Sequence, residues 1–570
     1  MAKFCGNKSE RHIRHMQSSP RGKVSFSFIF VIKLYQTAIN LGIILLSSLT
    51  LLTRLTYRLL QTKSVDSLKG IWMSSSAALV IFLFASLVLL YLVSQFSSVN
   101  FSKLKIFDEP NIKNKDVSIT ALFLLLISCV ISICLSTYNF TDFSVDYDSM
   151  SVQLNFLIKD EIKFQMWNGR FFPLSHVDNA VILKIFKSFS ALKVYLILHF
   201  IFLMTLAYFA FDFIPKNRRF VLLALIAISP PIVNIYSSAI YSERNILLFL
   251  VASTLFLRLG IKEVLNTKLA LFFSVSLFFI SLYFKETTIL YLTSFLGLIF
   301  ILRNFEALKA FDYKVISDYI KKPFAYVEVI FFLPCLLWFF SFFLLGGELN
   351  PEYVAKRDNS LTEYVGKNIL ELALISTIAV FMTVRARFDL HTVLILSCIP
   401  MVLYCLFVSQ SMGAYNTFTY YNYLIYIAFS MYIVCTKTSK FVIIAPLTYI
   451  AFTLITISGF LDFTKEVNKR DKVVRNAVEI IKNETLNINL EEPWKERNLA
   501  RFILYKAGQG NINHLRKHDL FCKDTYLYND NTSCTISEQP PSCRTLIDGN
   551  TSVGQPEMLM IIVNDSAGCR

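Results

Sequence analysis

The chain has little charge and little glycine for its length. Only 17% of its 570 residues are Asp, Glu, Lys or Arg, and only 17 residues are Gly, whereas roughly a quarter of an average soluble domain is charged. The low charge, together with a composition that is 55% hydrophobic, excludes an ordinary soluble globular protein. The scarcity of Gly argues against a transporter whose spanning helices are broken by Gly and Pro at mid-membrane.

Several motifs with a known mechanical basis are also missing. The sequence contains no Walker A motif, no G-x-G-x-x-G, no H-E-x-x-H and no G-x-S-x-G. Phosphate binding by a P-loop, dinucleotide binding, zinc proteolysis and hydrolysis by a nucleophile elbow therefore lack their usual sequence basis. No long internal repeat stands out.

Long apolar runs dominate the sequence instead. Runs near or above the roughly 18 apolar residues of a membrane span recur along most of the chain. The sequence therefore predicts an α-helical polytopic membrane protein with about 13 transmembrane helices. The predicted spans are 30–53, 75–95, 118–137, 191–213, 219–236, 245–259, 269–284, 287–302, 326–346, 368–384, 391–409, 420–436 and 440–460.

The net charge of +16 is distributed in a way that predicts topology rather than nucleic-acid binding. Basic residues cluster in the N-terminus and in alternate short loops, which is the positive-inside pattern. The pattern predicts a basic cytoplasmic N-terminus at 1–24, a multi-span domain at 25–460 and an external C-terminal domain at 461–570. No nucleic acid is expected as a partner.

The C-terminal segment has the pattern of a small external α/β domain. It contains two amphipathic helical stretches and the strand-like EMLMIIVND, and it carries four cysteines: Cys522, Cys534, Cys543 and Cys569. In an external domain these cysteines predict one or two disulfides, with three connectivities if both form. Zinc is the alternative, but there is no C-x-x-C, and His514 and His518 are not suitably spaced.

A polar island interrupts the apolar runs between Tyr138 and Asn179, within a large external loop predicted at 138–190. The island contains six acidic residues: Asp142, Asp146, Asp148, Asp160, Glu161 and Asp178. Asp146-Tyr147-Asp148 is a D-x-D, whose two side chains would diverge on a helix and converge only in other backbone conformations. A carboxylate here can accept a proton from a hydroxyl, or hold a divalent cation such as Mg²⁺ or Mn²⁺. A solvated face or a helix N-cap is the alternative for any single Asp.

Other candidate binding residues lie at the predicted outer ends of spans. Trp167 and Arg170, in the loop itself, offer a stacking surface and a cation, or else belong to an interfacial aromatic belt. Further along come Glu243-Arg244, Lys285-Glu286, the segment 346–368 and the Tyr-rich stretch 414–423. Charges packed against spans are costly and are functional candidates by default. The alternative is that each pair is a snorkelled helix cap with a neighbouring counter-charge.

The layout resembles the GT-C superfamily of polyprenyl-phosphate-sugar-dependent glycosyltransferases. The shared features are a basic cytoplasmic N-terminus, many spans, a large external loop with a D-x-D, and an external C-terminal domain. In that family the acidic motif follows the first span, whereas here it follows the third. The W-W-D-type motif of oligosaccharyltransferases is absent from the C-terminal domain, which argues against that branch.

The resemblance implies transfer of a sugar from a polyprenyl-phosphate-linked donor to a glycan or lipid acceptor on the outer face of the membrane. Asp146 or Asp148 would be the base, and Arg170, Arg244 or Lys285 would stabilise the departing lipid phosphate. Glu243 and Glu286 would orient the acceptor or these cations.

The expected location is the bacterial inner membrane, surrounded by membrane lipids, with the C-terminal domain in the periplasm and O-antigen or lipopolysaccharide as the envelope glycan. Two alternatives remain: an O-antigen polymerase or ligase, and a multi-span transporter or flippase.

Overall fold

The structure is a computed structural model of the chain. It describes residues 68–99, 119–137, 166–167, 170–237, 241–285, 288–309 and 325–344, three strands between 525 and 564, and isolated residues between 393 and 475. The predicted spans 30–53, 368–384, 391–409, 420–436 and 440–460 lie wholly or largely outside these residues.

Helices make up most of the described chain. Their bounds are α1 Leu68–Phe96, α2 Ile119–Thr137, α3 Val177–Phe186, α4 Phe189–Ala210, α5 Lys216–Ile228, α6 Pro230–Ser237, α7 Glu243–Ile261, α8 Thr267–Ser281, α9 Thr288–Lys309 and α10 Val327–Leu344. Four windows are long and apolar enough to cross a membrane: Leu79–Phe96, Ile119–Ser136, Ser190–Ala210 and Glu243–Ile261. The prediction of a helical integral membrane protein is therefore confirmed in this coarse form.

The predicted span 219–236 is two helices with a bend between them. α5 and α6 meet at an angle of 54° and together form a fifth candidate span. The break falls at Ser229, whose backbone is extended (φ −64°, ψ 140°). Pro230 explains it, because proline disfavours helical backbone in the residue before it and cannot donate a hydrogen bond.

Several of the described helices pack against one another. α7 packs along α8, α4 packs on α7, and α2 packs on α5 and α6. Between α7 and α8 the hydroxyls of Ser253 and Ser274 lie 3.1 Å apart, and each donates to the other residue's carbonyl oxygen, at 2.8 and 2.7 Å. These small side chains let the two backbones approach closely, as is common between membrane helices.

Several ion pairs lie near the ends of the described helices. Asp212, just after α4, accepts from Arg258 on the last turn of α7, at 2.7 Å, and also pairs with Lys262, just after α7. Arg303 of α9 and Glu328 of α10 pair at 2.6 Å. The opposite end of α4 and α7 carries the candidate site described below.

Two short strands, β1 Met166–Trp167 and β2 Arg170–Phe171, lie in the acidic loop, and three more lie in the C-terminal part of the chain: β3 Thr525–Tyr528, β4 Cys543–Asp548 and β5 Met560–Asn564. They form an antiparallel sheet in the order β3–β5–β4, with a register shift between Thr545 and Ile547. Cys543 begins β4, but the side chains of all four C-terminal cysteines, and the helices predicted there, lie outside the described residues. The chain divides into two compact units, 1–92 and 93–570, and all contacts discussed below belong to the second.

Candidate functional site

Three segments that the sequence singles out meet at one end of the helices. The last part of the acidic loop contacts the turn after α8 through Leu174, whose N–H donates to the Tyr283 carbonyl at 3.1 Å. The turn before α7 contacts the same place through Ser242, whose hydroxyl donates to the Phe284 carbonyl at 2.8 Å. The loop, the start of α7 and the end of α8 are therefore neighbours.

An ion pair between Asp178 and Arg244 joins the end of the acidic loop to α7. Arg244 Nη2 donates to Asp178 Oδ2 and to Asn179 Oδ1, both at 2.9 Å, while Nη1 donates to the Tyr241 carbonyl at 2.6 Å. Asp178 lies in the first turn of α3, where the helix dipole favours a negative charge. The Tyr195 hydroxyl donates to the same Asp178 oxygen at 3.0 Å. Arg244 is fully buried, with 0% of its surface exposed.

The pKa of Asp178 shows that its neighbours stabilise the charged carboxylate by more than burial destabilises it. Burial raises the pKa, but the charge of Arg244 and the hydrogen bonds from Arg244 and Tyr195 lower it by more, so that the net pKa lies below the ordinary 3.8. Asp178 is therefore an anion at neutral pH and holds the Arg244 cation in place.

A second hydrogen-bonded group lies beside this pair and joins α4, α6 and α7. His199 Nε2 lies 3.1 Å from Asn245 Oδ1, and His199 Nδ1 lies 2.8 Å from the Tyr236 hydroxyl. An amide oxygen only accepts hydrogen bonds, so the Asn245 oxygen accepts from His199. Neutral His199 then donates from Nε2 and accepts from Tyr236 at Nδ1. The donors therefore run from Tyr236 through His199 to Asn245.

A second ion pair joins α7 to the end of α8. Lys285 Nζ lies 2.6 Å from Glu243 Oε1. Glu243 is only 1% exposed, whereas 19% of the Lys285 side chain is exposed. Glu243 Oε2 is buried and has no hydrogen-bond partner among the residues that the structure describes. Of the two cations in these ion pairs, Lys285 is the one with surface exposed to a ligand, whereas Arg244 is enclosed by protein.

A small hairpin carries two of the predicted binding residues. β1, Met166–Trp167, pairs with β2, Arg170–Phe171, so that Trp167 stands opposite Arg170. The Phe171 ring is buried and meets the rings of Tyr283, Trp338 and Phe342 edge-on, each at a centroid distance of 5.9 Å. This aromatic cluster fixes the hairpin between the end of α8 and α10. The side chains of Trp167 and Arg170 lie outside the described residues.

Several of the predicted site residues lie outside the described residues: Asp146, Asp148, Glu286 and the segments 346–368 and 414–423. Glu243 and Arg244 do not neutralise each other, since each pairs with a partner on a different segment. Within the described part of the chain, no group of three His, Cys, Asp or Glu could hold a metal, so a Mg²⁺ or Mn²⁺ site at the D-x-D stays a prediction.

The sequence analysis gave no role to Asp178 or to the polar partners that complete this cluster: Asn179, Tyr195, His199, Tyr236 and Asn245. One signal was available, because Tyr195 and His199 are four residues apart in an apolar run and so share a helix face. A polar face inside a span indicates a buried partner elsewhere.

Comparisons of the chain with protein-family models, with curated proteins and with solved structures find no match. The chain's function must therefore be argued from the cluster itself.

Proposed function

We propose that the protein is a GT-C-type membrane glycosyltransferase, which moves a sugar from a polyprenyl-phosphate-linked donor to an envelope glycan or lipid. The observation that carries the proposal is the position of Lys285. It is a partly exposed cation held by a buried carboxylate, beside the point where the acidic loop is anchored. A cation next to a carboxylate-rich loop is the charge arrangement needed to release an anionic phosphate while a base activates a hydroxyl.

The proposed chemistry is a single displacement at the anomeric carbon of the donor sugar. Asp146 or Asp148 accepts the proton of the acceptor hydroxyl, whose oxygen forms the new bond to the anomeric carbon. The bond from that carbon to the phosphate oxygen breaks, and the lipid phosphate leaves with both bonding electrons. Lys285 stabilises its negative charge, with Arg170 as a second cation from the loop.

The buried residues of the cluster have a different role in this proposal. Arg244 is enclosed by Asp178, Asn179 and the Tyr241 carbonyl, so it positions the loop rather than binding phosphate. Glu243 holds Lys285, and Trp167 and Glu286 are kept as candidates for contacts with the sugar or the acceptor. A divalent cation at the D-x-D remains part of the hypothesis.

The finer topology belongs to the same proposal. It comprises about 13 spans, a cytoplasmic N-terminus, a periplasmic α/β domain at 461–570 with disulfides, and the bacterial inner membrane as the location. The alternation of basic loops supports this orientation.

The direct test is to replace each D-x-D carboxylate by its amide and to analyse the glycans of the cell envelope. Asp146→Asn or Asp148→Asn should abolish the modification with little change in protein level, because the amide keeps the shape and loses the base. Asp142→Asn and Asp160→Asn, in the same loop, are the matched controls and should keep it. Wild-type glycans from both D-x-D variants would sink the assignment of the base.

A transporter is the second candidate, and one observation favours it. The bent pair α5–α6 is a discontinuous span, and α6 carries Tyr236, the partner of the buried His199. Broken spans and intramembrane histidines are typical of proton-coupled transporters. Proton uptake by vesicles that contain the purified protein would support transport, and its loss in His199→Gln would assign the pathway. A transferase shows no such uptake.

A further inference from the structure

α3 connects the acidic loop to a candidate span through one sharp turn. The helix ends at Phe186, and Lys187 adopts a left-handed conformation (φ 49°) in which its N–H caps the Leu183 carbonyl at 2.8 Å. α4 then begins at Phe189, and its apolar window runs for 21 residues from Ser190 to Ala210. At 1.5 Å per residue this window is about 31 Å long, which matches the hydrocarbon core of a bilayer. The end of α3 therefore lies level with the boundary of that core.

One side of α3 packs against the other described helices, and its apolar side is exposed. Asn179, Ala180 and Leu183 are buried, and the Asp178–Arg244 pair fixes the helix in this orientation. Ile185 and Phe186, by contrast, are 65% and 60% exposed. Val181 is also exposed and lies four residues before Ile185, so Val181, Ile185 and Phe186 form one apolar stripe, whereas Ile182 packs against the core.

Two lysines flank this apolar stripe. Lys184 and Lys187 are both exposed, one on the last turn of α3 and the other at its C-cap. Apolar residues with lysines beside them, on a short helix at the end of a span, are typical of a helix that lies in the membrane interface. Long basic side chains there reach the headgroup phosphates and attract an anionic surface.

We propose that α3 is an interfacial membrane helix, with Ile185 and Phe186 in contact with the acyl chains of bilayer lipid and Lys184 and Lys187 beside anionic headgroups. Lipid is the occupant because the stripe lies at the level of the hydrocarbon boundary and carries the charge that anionic headgroups attract. This inference does not rest on the proposed function, since it would hold equally for a transporter.

The test places a photoreactive amino acid at single positions of the full-length protein, reconstituted in vesicles of phosphatidylcholine and phosphatidylglycerol with a trace of labelled lipid. Crosslinkers at Ile185 and Phe186 should form lipid adducts as abundant as those at Leu198, which is 60% exposed within the α4 span. A crosslinker at Leu183, which is buried, should form none. The Leu198 and Leu183 positions confirm in the same experiment that the protein is folded and inserted.

The two lysines are tested in the same vesicles. Adducts at Ile185 with labelled phosphatidylglycerol should exceed those with labelled phosphatidylcholine, and Lys184→Ala with Lys187→Ala should abolish that preference. Lipid adducts at Leu198 but none at Ile185 and Phe186 would overturn the proposal. So would crosslinks from Ile185 to another segment of the chain or to a second protein, because either would cover the stripe in place of lipid.

Discussion

Arg244 donates to Asp178 at 2.9 Å across 66 residues of sequence, and this bond connects the acidic loop to the first turn of α7. The two charges belong to segments that are polar interruptions of apolar runs. This buried pair fixes the position of the loop relative to the helices, together with the Leu174–Tyr283 hydrogen bond and the rings around Phe171.

Loss of either member of this pair should destabilise the protein. Asp178→Ala leaves the fully buried Arg244 uncompensated, and breaking a buried pair costs about 3–5 kcal/mol. We expect a lower melting temperature in detergent, measured by the loss of the monodisperse peak after heating. Asp178→Ala with Arg244→Leu should recover part of the loss, because no unpaired charge remains. A melting temperature unchanged in Asp178→Ala would contradict the role of the pair.

The same pair makes the stability of the folded protein depend on pH in the acidic range. The pKa of Asp178 lies below 3.8, so the carboxylate is charged in the folded protein wherever it is charged in the unfolded chain. The stability that it contributes is fully present above about pH 5 and is lost as the pH falls through the lower folded pKa. Thermal stability measured from pH 7 downwards should fall more steeply in the wild type than in Asp178→Asn at the acidic end. Parallel curves would show that another group controls acid unfolding.

Variants of the Lys285–Glu243 pair distinguish a role of Lys285 in stability from its proposed role in sugar transfer. Lys285→Met should reduce both stability and sugar transfer, because it leaves the buried Glu243 unpaired and removes the proposed phosphate-binding cation. Glu243→Gln with Lys285→Met should restore stability and leave transfer lost. Both quantities are measured on the same preparations, as melting temperature and as glycan modification.

The matched control is the pair at the other end of the helices. Arg303→Met with Glu328→Gln removes a similar short, largely buried pair and should leave transfer unchanged. If the Glu243–Lys285 double variant also transferred sugar normally, the pair would be only structural.

Phe171 anchors the hairpin that carries Trp167 and Arg170. Phe171→Ala removes a ring that touches three other rings, and a truncation of this kind costs about 3–5 kcal/mol. We expect a lower melting temperature and faster proteolysis of the loop. Phe340→Ala, on α10 but 55% exposed, should change neither.

The helices could be predicted from the sequence because hydrophobicity is a local property. The windows of α1, α2, α4 and α7 follow from runs of apolar residues. The bend at Ser229 was not part of the prediction of one span at 219–236, although its cause, Pro230, is the next residue in the sequence. The placement of Glu243-Arg244 and Lys285 at helix ends was also accessible, because charges interrupt the apolar runs there.

The pairing of these charges could not be predicted. Glu243 and Arg244 are neighbours in sequence, but at the start of α7 one points to Lys285 and the other to Asp178. Such cross-pairing depends on which helices pack together, and that information is not local. His199 was missed for a similar reason, because a single histidine in an apolar run has no visible partner until Tyr236 and Asn245 are placed beside it.

The reciprocal hydrogen bonds between Ser253 and Ser274 have a mechanical consequence for the cluster. They tie α7 to α8 near the middle of both helices, and a short turn ties them again at 262–266, so the two helices form a stiff hairpin. Its free end presents Glu243 and Lys285 at a fixed separation. We therefore expect a large ligand to reach Lys285 without α7 and α8 parting.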